Sequence, residues 1–238
     1  MEITDAITIK SRYYFSLQHI QSAALFARQC YQIEKNYDGI FSIDLITEHR
    51  SYVIGSLFAA FSFLEATINE FFADTVDHPY GDVAKHLDAD TKQLMTDLWV
   101  RGTFRTTNSL EKFQVALTLA RKPLLDSHSS PWQDVQILRA IRNDFVHYEP
   151  EWTSIELEKK RKNSILNLQQ QKKFAFNPLI TATLNPFYPD KCLSHGCAKW
   201  AINSSVQLAE DFFSKIGVPI PFEHIRPQLK TEIDEQQN

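Results

Sequence analysis

The sequence contains little glycine, and this scarcity excludes two classes of protein. Only 6 of its 238 residues are glycine, whereas average usage gives roughly 17. Loops that bind phosphate through backbone amides need several glycines close together, and turn-rich β folds also use many. The composition therefore disfavours both classes, while 17 phenylalanines predict a packed helical core.

Cysteine is also scarce, and no apolar run is long enough to cross a membrane. Three cysteines, an odd number, do not form a disulfide framework. The most apolar uncharged stretch, between Arg50 and Glu65, has about 14 residues, fewer than the roughly 20 that a membrane-spanning helix needs. The first residues lack the basic segment and apolar run of a secretory signal. We therefore expect a cytoplasmic protein with reduced thiols and no membrane contact.

The chain has no strong excess of either charge sign. It carries 25 Lys and Arg against 29 Asp and Glu, a formal charge of −4, so binding of nucleic acid through overall charge is excluded. Residues 153–173 nevertheless hold six basic and two acidic side chains. We predict that this basic patch contacts RNA; a solvated helix face is the simpler alternative. The predicted RNA-binding residues are Lys159, Lys160, Arg161 and Lys162.

Apolar residues recur at three- and four-residue steps along most of the chain, which predicts an all-α fold. The predicted helices cover about 9–34, 42–76, 91–100, 109–120, 130–148, 155–170 and 194–215. Three prolines within 172–191 predict a loop before the last helix. We expect one domain over residues 1–228, followed by a mobile charged tail at 229–238.

The clearest helix start in the sequence is Ser130-Pro131. Ser130 is the predicted N-cap, Pro131 the first helical residue, and Gln133 completes a capping box. Pro150 is expected to end this helix. Its apolar stripe consists of Val135, Leu138, Ile141 and Phe145.

A polar row is expected beside that stripe. Arg139, Asn143 and His147 are spaced four residues apart and share a helix face, with Arg142 beside them. Histidine exchanges protons near neutral pH, and arginine binds phosphate oxygens with a planar fork. These two side chains supply what phosphodiester cleavage without a metal requires, namely proton transfer and charge stabilisation. A solvated or partner-facing polar stripe is the alternative.

The segment Arg142-Asn143-x-x-x-His147 resembles the R-x(4–6)-H motif of the HEPN superfamily, and the apolar residues around it resemble the family's motif helix. The resemblance implies an antiparallel helical bundle, with extra helices in this longer chain. It implies a metal-independent endoribonuclease without a cofactor, in which Arg142 and His147 are catalytic and Asn143 supports them. It further implies a bacterial toxin or antiphage defence effector. The implied partners are RNA, a second copy with its motif helix facing the first, and an antitoxin or regulatory protein.

A second polar line lies on the phenylalanine-rich helix predicted over 42–76. Ser62, Glu65 and Asn69 follow one another at three- and four-residue steps. A buried carboxylate needs a cationic partner, and Arg142 or Arg139 is the natural candidate. The resemblance favours Glu65 as a group that orients the motif, so we predict that Glu65, Asn69 and Arg139 support the site. A helix edge at the surface or a structural ion pair is the alternative.

The segment Cys192-x-x-His195-x-Cys197 contains zinc-ligand types. A structural zinc site requires four ligands, and no fourth is evident near these three. We therefore predict buried thiols at the start of the last helix and no metal.

Two other functions fit the same residues. One is a non-catalytic HEPN-like module that binds a nucleotide, RNA or a protein through the face carrying Arg142 and His147. The other is a structural helical protein in which this face serves dimerisation. Cleavage of RNA would separate the enzyme from both.

Overall fold

Six α-helices and several short helical turns make up the described part of the chain. The computed structural model describes residues 11–40, 42–150, 168, 171–182 and 185–233. No strand occurs within these residues, so the predicted all-α class is confirmed. The helices are α1 (Phe15–Lys35), α2 (Ile43–Asp77), α3 (Ala89–Val100), α4 (Ser109–Leu119), α5 (Trp132–Val146) and α6 (His195–Ile216). Shorter turns lie at Ala84–His86, Thr103–Thr106, Phe187–Lys191 and Glu223–Leu229.

The central helix is α2, which contacts α1, α3, α4, α5 and α6. Ser42 caps its N-terminus by accepting the Leu45 N–H at 3.5 Å, as Ser side chains commonly do. By length and composition, α2 is the one described helix that could cross a bilayer. Half of the residues in its most apolar 18-residue stretch are nevertheless buried inside the protein. A helix that is apolar on most sides is typical of a protein core.

Helices α1 and α2 are an antiparallel pair. The Ser16 N–H donates to Glu70 Oε1 at 3.0 Å near one end. The Ser56 hydroxyl donates to the Ala23 carbonyl at 3.0 Å near the middle of the pair. These contacts join the start of α1 to the end of α2, as a short connection between helices requires.

Helix α1 begins later than its predicted start near residue 9. Residues 11–14 are not helical, and Tyr14 at the N-cap has extended backbone angles. Arg12 Nη2 lies 2.9 Å from Asp74 Oδ1, and the Tyr14 hydroxyl donates to the same oxygen at 3.0 Å. Burial raises the pKa of Asp74, and the contacts with Tyr14 and Arg12 oppose this shift. Bonding to α2 therefore competes with helix formation at this end.

Phenylalanine and tryptophan side chains from four helices and a short turn meet in one aromatic core. The Phe72 ring is stacked on Trp99, with centroids 5.8 Å apart and planes 13° apart. It also meets Phe104 edge-on at 4.8 Å. Phe212 of α6 lies edge-on to Phe113 of α4 at 4.9 Å. Such pairs add specific geometry to the burial of apolar surface.

The start of α5 differs from the predicted capping box, and that prediction was wrong. Helix α5 begins at Trp132, with Pro131 as the residue before it. The Ser130 hydroxyl donates to Asp134 Oδ2 at 2.6 Å and caps no helical N–H. The Gln133 N–H instead donates to the Ser129 carbonyl at 3.1 Å. The Ser129 carbonyl thus accepts an N–H of the first turn, whereas the Ser130 side chain was predicted to cap it. The helix also ends at Val146, two residues before the predicted end at 148.

The segments around the last helix fall partly outside the described residues. The helix predicted over 155–170 lies outside them except for Leu168, and nothing is described for 234–238 of the predicted tail. In the described part of that tail, Thr231 is buried and its carbonyl lies 3.1 Å from His195 Nε2. Arg28 donates to the Lys230 carbonyl at 2.7 Å. Residues 230–231 therefore pack against α1 and α6.

A left-handed residue ends α6. Gly217 has φ 80° and ψ 33°, and its N–H donates to the Phe213 carbonyl at 3.0 Å. The Val218 N–H donates to the same carbonyl at 3.1 Å. Glycine is favoured here because it has no Cβ to clash in this conformation.

We expect Gly217→Ala to lower the free energy of unfolding by about 1–2 kcal/mol. Among the described residues, an added Cβ would meet only Lys122 Nζ, at 4.0 Å, so the cost arises from the backbone conformation and not from a clash. Urea denaturation measures this change. Gly217→Asn is the matched control, because asparagine adopts left-handed angles more readily than alanine. An equal decrease in the free energy of unfolding for the two variants would contradict the view that the left-handed backbone causes the cost.

Candidate functional site

The candidate site lies along α5, where this helix meets α2. Helix α5 buries Val135, Leu138 and Ile141 and contacts α2 and α6. Arg139, Arg142 and Asn143 are half-buried beside this apolar stripe. The amphipathic pattern of α5 thus places the motif arginine at the boundary between core and solvent.

Arg142 is held by three neighbouring groups. Its Nη1 donates to Asn143 Oδ1 at 3.0 Å, and its Nη2 lies 3.8 Å from Glu65 Oε2. Its Cζ lies 5.8 Å from the centroid of the Phe61 ring, a cation–π distance. The predicted pairing of Glu65 with Arg142 is therefore present. Because about a third of each side chain is exposed, this pair adds little stability and mainly orients the guanidinium.

Glu65 connects the motif helix to α4. The Ser109 hydroxyl, on the first residue of α4, donates to Glu65 Oε1 at 3.3 Å. The other carboxylate oxygen is the one that faces Arg142. A single side chain of α2 thus contacts both α4 and α5 at the site.

Asn69, predicted to support the motif, contacts a different partner. Its Oδ1 accepts from Lys112 Nζ at 2.8 Å, and Lys112 also donates to the Arg105 carbonyl at 2.7 Å. Lys112 is 2% exposed, and its Nζ lies 5.7 Å from the Trp99 centroid. Burial lowers the pKa of Lys112, and the nearby Glu65 charge opposes this shift.

Sequence reasoning missed Lys112 because it lies among apolar positions of α4. Leu110 and Phe113 on either side are both buried, and a lysine between them is expected at a solvated edge. Its Nζ reaches two acceptors on other segments. Only the tertiary structure reveals that these acceptors stabilise the buried charge.

His147 lies just beyond the end of α5. It is the C-cap residue, with φ −113° and ψ 42°, and its N–H donates to the Asn143 carbonyl at 2.9 Å. The side chain is exposed. The predicted row of Arg139, Asn143 and His147 is therefore helical only as far as Asn143. Among the described residues, no hydrogen bond joins His147 to Arg142, and Arg139 has no ion pair.

The predicted RNA-binding residues Lys159, Lys160, Arg161 and Lys162 lie outside the described residues. Lys173, at the end of the same basic patch, is described. Its Nζ lies 3.3 Å from Asp134 Oδ1 of α5. One positive charge of the patch is therefore paired within the protein.

A cavity lies at the opposite end of α5 from His147. It has a volume of about 360 Å³, and Ser130, Trp132, Asp211 and Lys215 are among its lining residues. None of the predicted catalytic or supporting residues lines it. The candidate site is therefore separate from this cavity.

Cys192, in the loop before α6, and Cys197, in α6, are both buried, as predicted. Contact with the Cys192 thiol and burial raise the pKa of Cys197 well above its ordinary value. The His195 ring points elsewhere, because its Nε2 lies 3.1 Å from the Thr231 carbonyl. Burial lowers the pKa of His195, while the nearby Glu34 opposes this shift.

Comparison with protein-family models, curated proteins and solved structures found no match to this chain. The resemblance to the HEPN superfamily accordingly depends on the segment from Arg142 to His147 and on the helix that carries it. The functional argument therefore depends on the chemistry of these residues.

Proposed function

We propose that this chain is a metal-independent endoribonuclease of the HEPN type. The observation that carries this proposal is the position of Arg142, which Glu65, Asn143 and Phe61 hold at the surface beside the end of the motif helix. Its side chain is 30% exposed, so some of its five N–H donors stay accessible to a phosphate. His147 follows in the same segment with an exposed imidazole.

In the proposed reaction, the 2′-hydroxyl of the RNA attacks the adjacent phosphorus. The bond from phosphorus to the 5′-oxygen breaks, and the products carry a 2′,3′-cyclic phosphate and a 5′-hydroxyl. One proton leaves the attacking oxygen and one is added to the leaving oxygen. His147 performs one of these transfers as a general acid or base, and Arg142 stabilises the charge that builds on the phosphoryl oxygens.

The weak contact between Arg142 and Glu65 suits this role. A separation of 3.8 Å between side chains that are each about one-third exposed corresponds to an ion pair worth at most about 1 kcal/mol. A phosphate can therefore replace Glu65 as the partner of the guanidinium at small cost. Until RNA arrives, the carboxylate and Asn143 keep the guanidinium from adopting many alternative rotamers.

The proposed active form is a homodimer with the motif helices facing each other. Val146 is 49% exposed and Tyr148 65% exposed, so two apolar side chains flank His147 at the surface. Contact between two copies there would bury both and bring a second His147 to the cleft. Two imidazoles then supply one group for each proton transfer. A bacterial toxin or antiphage effector, controlled by an antitoxin or regulatory protein, is the proposed setting.

The purified full chain is tested for RNA cleavage in the presence of EDTA. We expect products with 2′,3′-cyclic phosphate and 5′-hydroxyl ends, since no metal-bound water takes part. The double variant Arg142→Ala/His147→Ala, purified identically, controls for contaminating ribonucleases and is expected to cleave nothing. Size-exclusion chromatography with light scattering measures the oligomeric state in parallel.

Three results would overturn the proposal. These are cleavage that requires added Mg²⁺, products with 3′-hydroxyl and 5′-phosphate ends, and equal cleavage by the double variant. RNA or nucleotide binding that is lost on Arg142→Ala, without cleavage of any RNA, would establish a binding module instead.

A further inference from the structure

Three potential metal ligands lie together where α1 meets the first turns of α2. Cys30 Sγ is 3.2 Å from His49 Nε2, and His49 Nε2 is 2.9 Å from Glu34 Oε1. The third side of this triangle, from Cys30 Sγ to Glu34 Oε1, measures 3.6 Å. Each residue therefore contributes one sulfur, nitrogen or oxygen atom to a compact triangle.

The triangle has nearly the dimensions of a tetrahedral zinc site. Bond lengths of about 2.3 Å to sulfur and about 2.0–2.1 Å to nitrogen and oxygen place a sulfur and a nitrogen about 3.6 Å apart. The same bond lengths place a nitrogen and an oxygen about 3.4 Å apart. The three distances in the protein lie within about 0.5 Å of these values. Small side-chain rotations are sufficient to admit an ion.

The charge and burial of this cluster also fit a divalent cation. Cys30 and His49 are completely buried, and the Glu34 side chain is 16% exposed. A thiolate, a carboxylate and a neutral imidazole carry a total charge of −2, which one divalent ion neutralises. Within the described residues, no lysine or arginine forms an ion pair with Glu34. The His195 N–H and His49 Nε2 already contact Glu34 Oε1, and a divalent ion would add the cationic partner that a largely buried carboxylate favours.

We propose that Cys30, Glu34 and His49 bind one zinc ion or a similar divalent transition metal. Sulfur and nitrogen ligands select such metals over magnesium or calcium, which prefer oxygen. The fourth position is taken by water.

The proposed ion has a structural role. It joins α1 to α2, and the Glu34 carboxylate also accepts the His195 N–H at the start of α6, at 2.6 Å. Glu65 follows His49 by 16 residues on α2, which corresponds to about 24 Å along the helix. The ion therefore lies far from Arg142, and the metal-independent cleavage proposed above is a separate question.

The first experiment measures the metal content of the full chain. The protein is produced with added Zn²⁺, freed of loosely bound ions, and analysed by mass spectrometry of its elements. We expect about one zinc per chain in the wild type and background levels in Cys30→Ser. Ser56→Ala is the matched control, because Ser56 is also completely buried between α1 and α2 yet lies outside the cluster; it is expected to keep its zinc.

The second experiment uses the wild type alone, in case Cys30→Ser does not fold. The protein is unfolded in guanidinium with a chelator and refolded with Co²⁺, Zn²⁺ or no metal. We expect a thiolate-to-cobalt absorption band and a higher Tm with Zn²⁺ than without metal. Zinc at background in the isolated protein, together with no cobalt band, would show that the cluster is a hydrogen-bonded network only. Neither result depends on whether the protein cleaves RNA.

Discussion

Replacing His147 by alanine is expected to slow RNA cleavage by about 100- to 10,000-fold, the usual contribution of a general acid or base. The imidazole is exposed and forms no hydrogen bond with the described residues. Its removal therefore takes away proton transfer without disturbing packing, and we expect the free energy of unfolding to change by less than about 0.5 kcal/mol. Single-turnover cleavage and urea denaturation measure the two quantities on the same preparation.

His224→Ala is the matched control for this prediction. His224 is also an exposed histidine, and it lies in the short turn Glu223–Leu229, far along the chain from α5. It is expected to cleave RNA at the wild-type rate. Equal rates for His147→Ala and His224→Ala would remove His147 from the mechanism, as would a loss of cleavage that is matched by a loss of folding.

The comparison of Arg142→Lys with His147→Ala separates phosphate binding from proton transfer. Lysine keeps the positive charge but lacks the planar fork that binds phosphate oxygens in pairs. Arg142→Lys is therefore expected to retain weak RNA binding with strongly reduced cleavage. His147→Ala, by contrast, is expected to bind RNA as the wild type does and to lose only the chemical step.

Replacing Phe72 by alanine is expected to lower the free energy of unfolding by about 3–5 kcal/mol. Phe72 is completely buried, and its ring contacts Trp99 at 5.8 Å and Phe104 at 4.8 Å between centroids. Truncation removes the burial of an aromatic ring and leaves a cavity that rigid aromatic neighbours fill poorly. The urea midpoint should fall while the m-value stays constant, since the wild type and the variant expose similar areas when they unfold.

Phe15→Ala is the control for this stability prediction. Phe15 is the first residue of α1 and is 59% exposed, so its truncation is expected to cost less than about 0.5 kcal/mol. A loss below about 1 kcal/mol for Phe72→Ala would contradict the view that one aromatic core joins α2 to α3 and the turn Thr103–Thr106.

The local sequence predicted a long helix well where its N-cap residue and its apolar pattern indicate the same range. The predicted range 42–76 for α2 differs by one residue at each end from Ile43–Asp77, because Ser42 caps the helix and apolar residues continue along it. The start of α1 was placed too early, since Arg12 and Tyr14 bond to Asp74. That competing partner is about sixty residues away in sequence, beyond the range of any local pattern.

At the candidate site, too, the sequence predicted some contacts correctly, while others depended on tertiary packing. The sequence pointed to Arg142 or Arg139 as the partner of Glu65 because a carboxylate on an apolar helix needs a cation, and the structure contains the contact with Arg142. It also paired Asn69 with the motif, whereas Asn69 binds Lys112. Helical spacing indicates which residues share a face, but the helix opposite that face depends on packing across the whole core.

Spacing within one helix is determined by the sequence alone, because hydrogen bonds between neighbouring turns fix it. The sequence therefore already placed Cys30 and Glu34 one turn apart, as it placed Arg139 and Asn143. The position of His49 beside Cys30 and Glu34 was decided only when α1 and α2 packed as an antiparallel pair. Tertiary packing joined these three ligands because burying the apolar faces of two helices brings together polar groups that are distant in sequence.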